Sequence, residues 1–361
     1  MSKSTKELKS LPTSKITQGD CIQTMNSWPK DSLDLIFADP PYNIGYDYDK
    51  YDDTKSYDDY VSWTGDWIDA CSRLLKPSGS FYILIGDEYA AETRMHLRKL
   101  ERQGDLLVRN WIIWHYTFGQ NARAKFNRSH VHLFYCVGSG IFKDSKGRKN
   151  DKVQLTPPLK SNLLKNPPYA FNKQDIAIQS ARQSTYGDKR ANPTGKMPDD
   201  TWYLRPQEAF DGGENYFDVD CDTWSVSRLC GTFQERVAWH PCQLPEALLE
   251  RIVKLSSNKG DIVFDPFTGS GTTLAVAAML GRQWLGTELS EDYATKSQKR
   301  IEHVQATGET MRSTQQEKGM DRKNPKKKPE PYRSAPGAKT TSTKATPATA
   351  ETSLFGDDVQ P

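Results

Sequence analysis

Apolar and polar positions divide this chain into stretches with a strand period, stretches with a helix period and stretches with neither. Residues 15–20 read as a short strand ending in Gly19-Asp20, followed by an amphipathic turn through Cys21, Ile22 and Met25. The apolar run Leu33–Ala38 predicts a buried strand that stops at Asp39, and Pro40-Pro41-Tyr42 follows at once. Residues 43–60, crowded with Tyr, Asp and Gly, have no period and predict a mobile loop over whatever lies beneath. From Tyr60 onward, Val61, Trp67, Ile68, Cys71, Leu74 and Leu75 recur near helical spacing. Lys76-Pro77-Ser78-Gly79 predicts the turn that ends this helix before a buried strand at 81–85. A helix over 88–102 and strands over 111–116 and 131–137 follow, with a loop at 119–130 between the strands. Pattern returns with a helix over 245–253 started by Pro245, a strand at 262–264, an Ala-rich helix over 274–280 and a strand at 283–287 that ends on Glu288.

Helices alternating with short buried strands predict an α/β fold with a doubly wound, Rossmann-like sheet. In such a sheet ligands bind beyond the carboxyl ends of the strands, where Asp20 and Asp39 both fall. Taken alone, Asp20 is equally a helix N-cap.

Composition adds an insertion and a tail. Over 143–225 Pro, Asn, Gln, Gly and Ser break any period, and Lys and Arg outnumber Asp and Glu through Lys196. This predicts an inserted, surface-rich module that lies along a polyanion, or else a decorative insertion. Residues 308–361, with Lys326-Lys327-Lys328 and repeated Pro, Ser and Thr, predict a disordered basic tail that adds sequence-independent affinity for nucleic acid. The apolar share of the 361 residues, 36%, is low for a compact fold partly because of that tail. The expected organisation is a domain whose halves are 1–142 and 226–307, a recognition insertion at 143–225, and the tail at 308–361. The formal charge of +3 is compatible with nucleic acid without requiring it. Six cysteines include no CxxC pair, and Cys221, Cys230, His240 and Cys242 lack the spacing of a zinc knuckle. Free thiols in a reducing cytoplasm and no metal are expected. No apolar run approaches the roughly 20 residues needed to span a bilayer.

Two turns carry candidate chemistry. In Asp39-Pro40-Pro41-Tyr42 the prolines fix φ near about −65° and remove two N–H donors, leaving the Asp39 and Pro40 carbonyls without a ladder partner. A carboxylate, a carbonyl and an aromatic face within four residues make a clamp for a flat group bearing N–H donors, such as a purine or pyrimidine amine; the alternative is a plain proline-rich turn. In Asp265-Pro266-Phe267-Thr268-Gly269-Ser270-Gly271-Thr272-Thr273, the two glycines permit a sharp turn and close approach to a ligand, and Glu288 is placed to accept from ribose hydroxyls. A Walker-type phosphate loop is excluded because Thr272, not lysine, follows Gly271, and a dinucleotide fingerprint would want glycine where Leu274 stands. A nucleoside without pyrophosphate remains, of which S-adenosylmethionine is the obvious example. In the loop at 119–130, Arg123, Lys125 and Arg128 surround Phe126, an arrangement that suits phosphate contact or simply a solvated loop.

Together, Gly19-Asp20, Asp39 to Asn43, the 74–79 turn, His240-Pro241 with Gln243 and Pro245, the 265–273 loop and Gly286-Thr287-Glu288 resemble the S-adenosylmethionine-dependent DNA amino-methyltransferases, which modify N6 of adenine or N4 of cytosine. The tetrapeptide precedes the glycine loop, as in the permuted group called class β. The resemblance implies that Asp39, Pro40 and Tyr42 are catalytic. It also implies that Asp20 and Cys21 lie at the cofactor's adenine, that Asp265, Phe267, Gly269, Ser270, Gly271 and Thr272 contact its body, and that Glu288 holds its ribose. Further implications are double-stranded DNA as substrate, a base flipped out and stacked on Tyr42, target recognition within 143–225, a homodimer, and a place in restriction–modification. An Asp at the head of the tetrapeptide favours adenine N6, since the cytosine N4 enzymes more often begin with Ser. Methylation of RNA or of a protein glutamine more usually resembles Asn-Pro-Pro-Tyr, and a DNA-binding protein that keeps only the fold is a further alternative. Leu244 departs from the family, which commonly has lysine there. Residues 351–355, Glu-Thr-Ser-Leu-Phe, faintly resemble peptides that bind bacterial sliding clamps, with Glu in place of Gln.

Overall fold

The computed structural model describes residues 11–120, 126, 128–142, 167–177, 192, 194–198, 201–202 and 235–310, all within one compact unit, Met1–Met320. Arg123, Lys125, Cys221, Cys230, most of the insertion and nearly all of the tail, including the clamp-like peptide, lie outside the described residues.

The fold is α/β. Among the described residues eight strands, β1 (Lys15–Gln18), β2 (Leu33–Ala38), β3 (Leu75–Ile85), β4 (Leu106–Gln120), β5 (Arg128–Gly138), β6 (Thr201–Trp202), β7 (Ile262–Asp265) and β8 (Gln283–Glu288), form one sheet in the order β1-β8-β7-β2-β3-β5-β4-β6. Neighbours from β1 to β3 are parallel, and β5 runs antiparallel to both β3 and β4. The helices are α1 (Cys21–Asn26), α2 (Tyr57–Leu74), α3 (Ala90–Gln103), α4 (Glu246–Ser256), α5 (Thr272–Met279) and α6 (Glu291–Thr307).

Strand β2 explains why the apolar run 35–38 was legible. Leu35 and Phe37 join the core with Leu248, Leu274 and Ile301 on one face, while Ile36 and Ala38 join Trp67, Ile68 and Leu97 on the other. A strand covered on both sides needs apolar residues at every pitch, and each side chain so buried contributes about 1.5–3 kcal/mol before entropy is charged. Among the described residues, no helix is long and apolar enough to cross a membrane.

Several boundaries differ from expectation. Helix α2 begins at Tyr57, because Ser56 caps it through the Asp59 N–H. Lys76-Pro77-Ser78-Gly79 is not a turn but the first part of β3: Leu75 already pairs with Leu33, a register shift follows, and Lys76 Nζ reaches the Asp34 carboxylate at 2.8 Å. Strand β4 runs well beyond 111–116, into the segment expected to be loop. Helix α6 was not anticipated at all. Its buried face is Ala294, Ser297, Ile301 and Val304, a stripe half made of small residues that yields little apolar signal.

Candidate functional site

Strand β7 leads through α5 to β8 on one side of the sheet centre, and β2 leads through α2 to β3 on the other. The sheet reverses its winding between these two strands, and the crevice outside their carboxyl ends is where ligands of doubly wound folds bind. A cavity of about 340 Å³ opens there. Asp39 to Tyr42 leave β2 along one wall, while 265–270 leave β7 along another.

Asp20 plays both parts foreseen for it. Its Oδ1 caps α1 by accepting from Gln23 N at 2.8 Å, and its side chain lines the cavity beside Cys21. Burial pushes the Cys21 thiol up to about 12, so this wall is a neutral thiol and not a nucleophile.

Asp39 lies next to the last paired residue of β2. Its Oδ1 accepts from the Tyr42 hydroxyl at 2.8 Å. Burial pushes its carboxyl up to about 7, the Tyr42 bond opposes that rise, and the charge of Asp265 adds to it. Asp265 is likewise pushed up to about 7, chiefly by burial, although Phe267 N donates to its Oδ1 at 3.0 Å.

The glycine turn is fastened to Glu288 and to α6. Gly269, at φ +48°, donates its N–H to Glu288 Oε2 at 2.8 Å, and Ser290 N donates to Oε1 at 2.9 Å. Both oxygens are thereby oriented, and burial raises the Glu288 pKa. From behind, Ser297 Oγ donates to the Gly269 carbonyl at 2.5 Å and Arg300 Nη1 to the Ser270 carbonyl at 2.8 Å. Arg300 Nη2 also reaches Glu246 at 2.9 Å, tying the turn to the start of α4. Phe267, Gly269, Ser270 and Thr272 line the cavity. Gly271 lies behind that wall: it is the corner of the turn, at φ +77°, where a Cβ would stand 3.0 Å from Ser297 Cβ.

The loop after Tyr42 is stitched together by one carboxylate. Asp53, 2% exposed, accepts from the backbone N–H groups of Asn43, Ile44 and Tyr46 at 2.8, 3.1 and 2.9 Å. Asn43, in the left-handed region at φ 55°, is held at its side chain by the backbone of Lys55. Beyond it, Asp49 accepts from Ser290 Oγ at 2.6 Å, linking the loop to the β8 side of the cavity.

Leu84, Trp114, Tyr116 and Val131 from β3, β4 and β5 also line the cavity. None of these was singled out from sequence; the signal was the alternation along β4, which marks 112, 114 and 116 as one face without saying what that face meets. Of the three basic residues expected at phosphates, Arg128 alone is described. Its guanidinium engages Asp87 at 2.8 Å and also Glu88. His240 lines the cavity and abuts Gly269; burial pushes its imidazole down to about 4, keeping it neutral. Leu244 packs partly into the core at the cavity edge, so this edge is apolar where the resembled family has a lysine.

Asp20, Asp39, Asp49, Asp265 and Glu288 surround one cavity whose described cationic side chains are Lys50 and the acid-bound Arg128. That balance suits a ligand carrying positive charge. Glycine at 269, fixed carboxylates at 20 and 288 and aromatic walls at Trp63 and Phe267 suit an adenosine body.

Comparison with known proteins finds relatives of this chain. A model of the N6/N4 methyltransferase family described as DNA methylase matches residues 33–299. The chain is 31% identical over 290 residues to the DNA adenine methyltransferase YhdJ of Escherichia coli (strain K12), covering 80% of this chain and 82% of that protein. It is 28% identical over 284 residues to the Type II methyltransferase M.HpaI of Haemophilus parainfluenzae, covering 78% and 72%. The solved complex of M1.HpyAVI with SAM superposes with a TM-score of 0.44 at 19% identity, covering 79% of this chain and 98% of that one.

Proposed function

The chain belongs to the DNA methylase family of N6 and N4 methyltransferases, and from that membership we propose that it transfers a methyl group from S-adenosylmethionine to the exocyclic N6 of adenine in double-stranded DNA. The observation that carries the reading is the meeting, in one cavity, of the Asp39-Pro40-Pro41-Tyr42 turn and the Gly269 turn with Glu288. The printed name of the Escherichia coli relative, a DNA adenine methyltransferase, supports adenine over cytosine.

Bound S-adenosylmethionine supplies a methyl group on a sulfonium, which is already a good leaving group. The protein's part is to hold and polarise the acceptor. An exocyclic ring amine is a weak nucleophile because its lone pair is delocalised into the ring. Asp39 and the Pro40 carbonyl accept its two N–H bonds, which favours a pyramidal nitrogen and stabilises the positive charge that develops as it attacks. Alignment of nitrogen, methyl and sulfur supplies much of the remaining acceleration. The base leaves the duplex to reach the cavity, and stacking on Tyr42 offsets part of an unstacking cost of a few kcal/mol. Glu288, whose carboxylate keeps acceptor capacity beyond the backbone N–H groups it receives, takes the ribose hydroxyls.

Two finer expectations accompany this reading. The class β resemblance implies a homodimer, which light scattering would detect. The peptide at 351–355 implies a sliding-clamp contact, which pull-down with and without that peptide would detect. Nucleoside mass spectrometry of duplex DNA incubated with the protein and S-adenosylmethionine tests the main proposal. N6-methyladenine is the expected product; N4-methylcytosine alone, or no methylated nucleoside, overturns it.

A further inference from the structure

The carboxylate that the proposed reaction assigns to the target amine already has a donor in this structure. The Tyr42 hydroxyl donates to Asp39 Oδ1 at 2.8 Å, with the tyrosine ring lying against the backbone of Gly86, where a Cβ would be 3.4 Å from Tyr42 Cδ2. Asp39 is buried beside a second carboxylate, Asp265, and the Tyr48 side chain also senses its charge. A buried carboxylate beside another is driven toward its neutral form unless a donor compensates. Once protonated, Asp39 keeps one acceptor oxygen but turns an O–H toward an amine that itself brings N–H donors and loses the charge that stabilises the cationic nitrogen, and the clamp would weaken.

Resting on the function proposed above, we propose that the Tyr42 hydroxyl is a place-holder for the target amine: it keeps Asp39 ionised before the base enters and surrenders the carboxylate when the amine arrives and the ring turns onto the base. Tyr42 thus has a role separate from stacking, one that belongs to its hydroxyl alone. The two roles are sequential, since the same side chain first donates to Asp39 and then covers the base that replaces it.

Tyr42→Phe isolates the hydroxyl while keeping the ring. At saturating S-adenosylmethionine, kcat/KM for duplex DNA reports the enzyme before the base enters, and kcat reports the loaded complex. The acid limb of kcat/KM is expected to move up by about one pH unit in Tyr42→Phe, the loss of one hydrogen bond to a charged group, while the acid limb of kcat stays in place. Tyr42→Trp, which offers a stacking surface without a hydroxyl, should show the same displacement and guards against a local packing defect in the first variant. Acid limbs of kcat/KM that coincide with wild type overturn the inference, and so does an equal displacement in kcat, which would mean the hydroxyl never leaves Asp39. A wild-type protein that methylates no DNA at any pH refutes the proposed function instead, so the two failures are distinguishable.

Discussion

Replacing Asp53 by asparagine tests whether the loop beyond Tyr42 is built as described. The Asp53 carboxylate receives three backbone N–H bonds, one on Oδ1 and two on Oδ2, in a position that is 2% exposed. Asparagine keeps the shape but turns an amide NH2 toward at least one of those donors and removes the charge from the rest. A hydrogen bond to a charged group is worth about 1.5–3 kcal/mol, and a stranded buried donor costs about 1–3 kcal/mol. Losing one bond outright and weakening the others therefore amounts to about 2–4 kcal/mol for closure of the loop. Because the loop opens locally, the assay is hydrogen exchange of the Asn43, Ile44 and Tyr46 amides, not global melting. Protection should fall by about 30- to 800-fold, since each 1.4 kcal/mol is roughly a factor of ten. KM for S-adenosylmethionine should rise as well, because Asp49 and Tyr48 of the same loop line the cavity. A change below about threefold at those three amides would refute the claim that Asp53 organises the loop.

Three further outcomes are expected. Burial holds the Asp39 carboxyl up at about 7, and the ionised form is the one whose charge stabilises the developing cation, so kcat/KM should fall about tenfold per unit as pH drops below about 7 and level off above it; a flat profile between about pH 5.5 and 8 contradicts this. Arg300→Met should destabilise the fold by about 3–5 kcal/mol in urea unfolding, because it removes the cation paired with the Glu246 carboxylate, which is 2% exposed. Adding Glu246→Gln should restore part of that loss, a coupling that independent sites would not show.

What could be read from the sequence follows from how each signal is encoded. β2 and β7 were legible because burial on both faces writes the apolar runs 35–38 and 262–264, and the two turns because Pro40-Pro41 and Gly269-Gly271 punctuate sharply. Asp20 was read in two ways, and both hold, since one side chain caps α1 and lines the cavity. The remainder depends on contacts between distant residues. Arg300 holds the Ser270 carbonyl from 30 positions away, and α6, which carries it, presents too many small buried residues to advertise a helix. Asp53 looked like one more acid in an irregular stretch, because its role is to receive backbone donors that have no periodicity of their own. Lys76 to Gly79 carries turn residues, yet parallel pairing with β2 on either side of it, at Leu75 and again from Ser80, encloses the segment within β3.

The central claim is a division of labour, in which the Asp39 turn handles the acceptor amine and the Gly269 turn with Glu288 holds the methyl donor. Its most direct test is single-turnover transfer of a labelled methyl group to duplex DNA by wild type and Asp39→Ala, with S-adenosylmethionine binding titrated on both proteins. The account predicts that Asp39→Ala abolishes transfer while its cofactor Kd stays within about threefold of wild type. Parallel loss of transfer and cofactor binding would contradict it.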